Sequence, residues 1–230
     1  MRKNKNVAII QARQGSTRLP KKCTMKIFKH SLIEWVVRRT KKSKKLDEIV
    51  IATSKKNADK VFGVIAKKLK VKIFYGDEQN VLSRFLEAAN KFKADNIIRI
   101  CADNPFISSN FVDNLIDFYK KNKCDLAFNH RPDKKMKYKC VDGLGAEIFS
   151  LKILKIVSKL AKSNYDLEHV TTFLYRNKNR FKIIPVPVER KYQITKKLDI
   201  DREKDLKKII DLVKINKINI NSSENKIINK

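Results

Sequence analysis

Short apolar runs at residues 7–11, 48–53, 71–75 and 96–102 alternate with amphipathic stretches through the first half of this 230-residue chain. That switch between two periodicities limits the fold more than any other feature. Between the runs, apolar residues recur at helical spacing. Leu32, Trp35, Val36 and Arg39 mark a helix over 31–40, and Val61, Val64, Ile65 and Leu69 give one apolar face over 57–69. Leu82, Phe85, Leu86 and Ala89 point inward from a helix over 81–92, and Ser108 or Ser109 is the N-cap expected for a helix reaching Lys121. Strands alternating with helices of this length predict an α/β fold with a parallel, doubly wound sheet. Beyond Asn129 the pattern loosens. Residues 131–141 read as a polar loop, 146–149 as a strand, 151–162 and 166–176 as helices, and 181–188, with two Pro, as an edge strand. A last short strand ends at Asp201, and a helix follows over 202–213. One domain over 1–214 is expected, with 215–230 as a low-complexity, frayed tail.

The formal net charge of +30 invites a nucleic-acid reading, yet of 54 basic residues 42 are Lys, scattered along the whole chain. A dedicated nucleic-acid binder concentrates Arg and aromatics on one face, and no zinc-finger, RNA-recognition or basic-zipper pattern is present. Pairs such as Lys41-Lys42 and Lys120-Lys121 fall near predicted helix ends, where they complement the helix dipole and stay solvated. No specific nucleic-acid partner is expected, only weak polyanion binding at low salt. Cys23, Cys101, Cys124 and Cys140 show neither CxxC pairing nor matching His spacing, which argues against zinc and a disulfide framework. Cys101 and Cys124 fall in strand-like apolar patterns and read as small buried residues. The basic N-terminus leads straight into a strand, and no apolar run reaches the length of a membrane span, so the cytoplasm is expected and a membrane partner is not.

The first strand runs into Ala12-Arg13-Gln14-Gly15-Ser16-Thr17-Arg18-Leu19-Pro20-Lys21-Lys22. A loop with Gly, two hydroxyls, two Arg and two Lys at the carboxyl edge of a parallel sheet suits a polyphosphate. Gly15 permits close backbone approach, and its N–H with those of Ser16 and Thr17 can form an anion nest. Arg13 and Arg18 can grip phosphate oxygens bidentately, while Lys22 supplies a mobile point charge. The loop is neither a Walker A sequence nor GxGxxG.

This AR-x-GSTRLP-x-K run resembles the signature of the sugar-activating cytidylyltransferases, which include CMP-Kdo and CMP-sialic acid synthetases. The nearest likeness is the cytidylyltransferase family named after a spore-coat polysaccharide biosynthesis protein. The resemblance extends from about residue 7 to 212, through Asp47-Glu-Ile-Val-Ile-Ala-Thr53, Gly76-Asp77-Glu-Gln-Asn-Val-Leu-Ser-Arg84-Phe, Arg99-Ile-Cys-Ala-Asp103-Asn-Pro105-Phe-Ile, Asp142-Gly143-Leu-Gly-Ala-Glu147, Leu167-Glu168-His169-Val-Thr171 and Leu198-Asp199-Ile-Asp201-Arg-Glu-Lys-Asp205-Leu.

The resemblance implies a three-layer α/β/α sandwich with a mostly parallel sheet, similar to nucleotide-diphospho-sugar transferases. It also implies transfer of CMP from CTP to an acidic ulosonic or nonulosonic sugar, with loss of pyrophosphate, for surface polysaccharide or glycan synthesis. The implied site comprises Arg18, Lys22 and Asp103 as catalytic residues; Ala12, Arg13, Gly15, Ser16, Thr17, Arg18, Lys22 and Arg84 around the nucleotide; and Asp103 with Asp201 as ligands of Mg²⁺. Glu147, Glu168 and His169 match positions around the acceptor sugar, and the family tends to dimerise through its second half. The residues themselves leave competing readings. Asp103-Asn104-Pro105 has the composition of a turn, Asp201 that of a helix N-cap, and His169 reads equally as a structural hydrogen-bonder. Asp199, two residues from Asp201, is the runner-up ligand.

Three positions depart from the family pattern. Lys21 stands where Gly is usual, Gly145 replaces an Asp, and Leu167 replaces a basic residue. Rival readings are a glycosyltransferase, whose D-x-D motif Asp199-Ile-Asp201 matches but too near the C-terminus, a nucleotidyltransferase of other base preference, and a polyanion-binding protein.

Overall fold

A computed structural model describes residues 4–131 and 138–228 of the chain. In chain order β1 (Asn6–Gln11) is followed by a small hairpin of β2 (Lys26–Ile27) and β3 (His30–Ser31), then α1 (Leu32–Thr40), β4 (Glu48–Ser54), α2 (Val61–Leu69) and β5 (Lys72–Gly76). Next come α3 (Val81–Lys91), β6 (Asn96–Cys101), α4 (Ser109–Lys121), β7 (Leu126–Phe128), β8 (Glu147–Ser150), α5 (Leu151–Leu160), α6 (Asn164–Glu168) and α7 (Thr172–Arg176). The chain closes with β9 (Ile183–Pro185), α8 (Glu203–Ile215) and α9 (Glu224–Ile228).

Local chemistry accounts for most boundaries. Ser31 and Glu34 form a capping box at α1, with the Ser31 N–H donating to Glu34 Oε2 at 2.8 Å. Ser108, of the two Ser considered, caps α4 by accepting from the Phe111 N–H at 3.1 Å. Asn80 and Ser150 do the same for α3 and α5.

The seven-stranded sheet runs β5-β4-β1-β6-β8-β7-β9, parallel except where β8 lies antiparallel to β6 and β7. Alternate residues of its strands feed two cores. Val7, Ile9, Val50 and Ile97 pack toward α3, α5 and α7, while Ala8, Ile10, Ile51 and Ile98 pack toward α1, α2 and α4. This is the three-layer α/β/α sandwich the sequence implied. Each fully buried Ile or Phe contributes about 1.5–3 kcal/mol relative to exposure.

A third core departs from expectation. Far from fraying, residues 215–228 fold back, burying Ile218, Ile227 and Ile228 with Trp35, Phe106 and Tyr192. The backbone carbonyls of Ile220 and Ser222 accept from buried Arg39 at 3.0 and 2.9 Å, and the Ser108 hydroxyl bonds to the Glu224 carboxylate. Isoleucines in a low-complexity run still bury area when a groove exists to receive them.

Four further readings need correction. The buried face of α2 is Phe62, Ala66 and Leu69, leaving Val64 exposed, because Phe62 offers more area than the valines at the same helical spacing. The helix expected over 166–176 is split into α6 and α7 at Val170, whose φ is 41°. The last strand reduces to an isolated bridge between Asp142 and Lys197. Cys124 lies before β7 rather than in a strand. The expected edge strand over 181–188 does form the sheet edge, as the shorter β9. Of the loop expected at 131–141, residues 132–137 lie outside those described.

Candidate active site

At the carboxyl end of β1 the chain leaves the sheet, the Ala12 N–H donating to Ala52 O at 3.1 Å. The Gln14 N–H donates to Asp59 Oδ1 at 2.7 Å, and the Lys21 N–H closes the loop on Gln14 O at 2.9 Å. Lys21 adopts φ 58°, ψ 17°, the left-handed conformation in which Gly would be unstrained. The departure from Gly therefore leaves the turn intact and stores strain of order 1 kcal/mol in it. Immediately afterwards Lys22 opens a short 3-10 turn that aims its side chain back over the sheet.

The loop is one wall of a cleft of about 420 Å³. Ala12, Arg13, Ser16, Thr17, Arg18 and Lys22 line it on that side; Val81 and Arg84 of α3 form a second wall, and Glu168 and His169 a third. Gln11, Arg99, Cys101, Ala102 and Asp103, from neighbouring parallel strands β1 and β6 and the turn after β6, form the floor. Gly15 is not among the lining residues, and a Cβ there would meet only Glu78 Oε1 at an ordinary 3.4 Å.

Charges at the mouth are paired. Arg13 Nη2 donates to Glu168 Oε1 at 2.7 Å, and Arg18 Nη2 to Asp201 Oδ1 at 2.8 Å. Lys22 Nζ donates to Asp103 Oδ2 at 3.0 Å and to Ile200 O at 2.8 Å, and lies 3.8 Å from Asp201 Oδ1. Burial works against the Lys22 ammonium, but Asp103 outweighs it and holds its pKa above the ordinary value. Asp201 is not the helix cap: Arg202 holds the N-cap position of α8, and Asp205, three residues on, accepts from its N–H at 2.9 Å. The segment carrying Asp201 is held beside Asp103 instead, through the Ile200 N–H donating to Asp103 O at 2.9 Å. Asp199, the runner-up, has its Oδ1 buried without a partner; burial and then neighbouring Asp142 push its pKa up to about 6.

Arg84 is only 1 % exposed. Its Nη1 donates to Asp77 O at 2.8 Å, its Nε has no partner, and burial pushes its pKa down to about 10. Among the described residues no carboxylate forms an ion pair with it, so it is a buried cation open to a ligand. The split between α6 and α7 brings His169 into the cleft. Burial, opposed by neighbouring Glu168 but joined by the arginines around it, holds its pKa below the usual value.

Glu147 does not line the cleft. It lies 1 % exposed beneath it, accepting from Arg99 Nη1 at 2.8 Å, Tyr175 OH at 2.8 Å and Thr171 Oγ1 at 3.0 Å. His130 Nε2 approaches to 3.2 Å without hydrogen-bond alignment. Burial works against this carboxylate, but Arg99 leads a set of neighbours that hold its pKa well below the usual range. Glu147, expected around the acceptor, is thus placed beneath the cleft rather than on its lining, with protein partners on its oxygens. Arg99 is the lining residue that sequence reasoning missed; an Arg inside an apolar strand was its one signal.

The chain matches the family model described as "Cytidylyltransferase" over residues 7–227. The chain belongs to the cytidylyltransferase family. Over 207 residues this cytidylyltransferase is 28% identical to the spore coat polysaccharide biosynthesis protein SpsF of Bacillus subtilis, covering 87% of its own length and 83% of the relative's. It is 35% identical over 121 residues to a 3-deoxy-manno-octulosonate cytidylyltransferase of Fusobacterium nucleatum, about half of each chain (52% and 48%). A solved cytidylyltransferase structure from Leptospira borgpetersenii superposes with a TM-score of 0.90 at 27% identity, covering 99% of this chain and 93% of that one. Among its described residues no helix is long and apolar enough to cross a membrane.

Proposed function

We propose that this cytidylyltransferase moves CMP from CTP onto a hydroxyl of an acidic sugar, of the ulosonic or nonulosonic kind, releasing pyrophosphate for surface polysaccharide or glycan synthesis. The observation that carries the reading is Lys22 Nζ within 4 Å of both Asp103 and Asp201, with Arg18 on the same Asp201. Cations and carboxylates from distant parts of the chain converge on one point at the sheet's carboxyl edge, where open α/β sheets bind ligands.

CTP would lie with its phosphates along the loop 13–22. There Arg13, Arg18 and Lys22 exchange their carboxylate partners for phosphate oxygens and bear the charge that builds on departing pyrophosphate. Backbone N–H groups of Ser16 and Thr17, which line the cleft, would add uncharged donors. Arg84, buried and unpaired, would donate to the O2 and N3 acceptors of cytosine. Glu168 and His169 would face the acceptor, the imidazole offering a hydrogen bond to a sugar hydroxyl.

Asp103 and Asp201 converge closely enough to share one ammonium and offer hard oxygen ligands, which fits Mg²⁺, an ion that takes one or two carboxylates and completes its shell with phosphate and water. When bound there, Mg²⁺ would neutralise charge on the α-phosphate. Alignment of the hydroxyl with the α-phosphorus, and exclusion of water from it, fall to the cleft walls.

Pyrophosphate release with CTP, ATP, GTP or UTP, Mg²⁺ and a panel of sugar acids tests the proposal. Release with CTP and one sugar acid, abolished by Asp103→Ala, is expected. Equal release with all four nucleotides would remove the assignment of Arg84, and no CTP-dependent signal of any kind would return the basic surface to consideration as a polyanion site.

A further inference from the structure

Arg99 is a buried cation whose donors are only partly used. It lies on β6 two residues before Cys101 and four before Asp103, so all three share one face of the strand direction, and all three line the cleft. Antiparallel pairing sets Glu147 of β8 directly opposite it. Glu147 takes Nη1 at 2.8 Å, the one hydrogen bond that the described residues make with this guanidinium. Nε is buried and has no hydrogen-bond partner among the described residues. A buried N–H left without an acceptor is costly, and a ligand with a matching acceptor would relieve it.

Glu147 is in turn anchored by Tyr175 and Thr171, and Thr171 reaches it because the chain breaks at Val170, in a conformation that a β-branched residue rarely adopts. The same break carries His169 into the cleft. Strain, a buried carboxylate and a tyrosine hydroxyl are thus all arranged around one guanidinium.

Resting on the reading of this cleft as the CTP and acceptor site, we propose that Arg99 is the residue that recognises the acceptor, its Nε–Nη2 edge receiving the planar carboxylate of the incoming sugar acid. Glu147 is the positioning residue: it holds Nη1 and leaves the Nε–Nη2 edge for a ligand. A carboxylate suits it better than a phosphate. Two parallel N–H groups match two coplanar oxygens, and a monoanion meets less repulsion from Glu147 than a phosphate dianion would.

Thermal shifts of the full chain saturated with CTP and Mg²⁺ provide the test, with Kdo, N-acetylneuraminate, their methyl esters and 2-C-methyl-D-erythritol 4-phosphate as probes. At least one free acid should stabilise the CTP-loaded protein and its ester should not. Arg99→Gln should abolish that second shift while leaving the CTP shift in place. Because this variant leaves Glu147 buried alone, Arg99→Gln/Glu147→Gln removes both charges and should give the same pattern. For an acid that is turned over, Arg99→Lys and Glu147→Gln should each raise the acceptor KM at least tenfold with the CTP KM unchanged, a split that simple loss of stability would not produce. An acid and its ester acting alike, a phosphate probe whose shift depends on Arg99, a double variant that keeps the acceptor shift, or a CTP shift with no response to any free acid would each overturn the assignment. Absence of the CTP shift in the wild type would instead overturn the nucleotide reading, and this inference with it.

Discussion

Lys22 and Asp103 stand 81 positions apart in the chain and 3.0 Å apart in space, with Asp201 completing the group 3.8 Å from the same ammonium. The side chain of Lys22 is only 12 % exposed, so the group works in a partly desolvated setting. Lys22 sits between the two carboxylates proposed above as ligands of a divalent cation.

Lys22→Met should therefore act in opposite directions on two ligands. CTP turnover should fall by about 10²–10³-fold, as when one charge-stabilising donor is removed. Mn²⁺, titrated by electron paramagnetic resonance into the nucleotide-free protein, should bind more tightly than to wild type, because no ammonium competes for Asp103 and Asp201. Unchanged or weaker Mn²⁺ affinity would show that these carboxylates do not form the cation site.

Asp199 gives a pH-dependent stability with a defined sign. Its pKa is raised by burial and by Asp142, from 3.8 to about 6, so the folded state holds a proton that the unfolded state has released between those values. Its favourable contribution is present below pH 3.8 and is lost as pH rises through about 6. Asp199→Asn should accordingly be more stable than wild type at pH 8, by on the order of 1–2 kcal/mol, with no gain near pH 3.5. Urea midpoints at the two pH values decide it; an equal gain at both would point to packing.

Two positions where this chain departs from its family should respond oppositely to the family residue. Lys21→Gly relieves a left-handed φ of 58° but loosens the unfolded chain, for a net gain of about 0–1 kcal/mol. Gly145→Asp places a Cβ 2.0 Å from the Asn129 carbonyl oxygen, and should cost about 3 kcal/mol or more. Denaturant unfolding of both variants measures the contrast, and a tolerated Asp would mean that the Asn129 backbone yields.

Truncation after Ile215 should lower the Tm by several degrees. It uncovers the pocket that holds Ile218 and Ile227 and takes from Arg39 the carbonyls of Ile220 and Ser222. A buried arginine stripped of acceptors costs about 1–3 kcal/mol for each donor left unpaired. An unchanged melting curve would restore the tail to the frayed state its composition suggested.

Local signals made the layers of the fold legible. Period-two and helical patterns, Ser108 and Asn80 at helix starts, and Pro185 on an edge strand are properties of neighbours along the chain, and all can be read without a structure. The loop 13–22 was legible for the same reason: its Gly, hydroxyls and cations lie within one turn. Tertiary structure decided the rest. Whether Val64 or Phe62 of α2 is buried depends on the surface it meets, and whether 215–228 frays depends on a groove made by Trp35, Phe106 and Tyr192. Spacing alone left Asp201 equally suited to capping the following helix; the bond from the Ile200 N–H to Asp103 O holds its segment beside Asp103 instead. The pairing of Arg99 with Glu147 was hidden because strand register, which no local pattern encodes, sets one opposite the other. The alternating layers and the cationic loop follow from preferences that act over a few residues. Which charges meet, and which of them face a ligand, followed from long-range pairing that exists only once the sheet has formed.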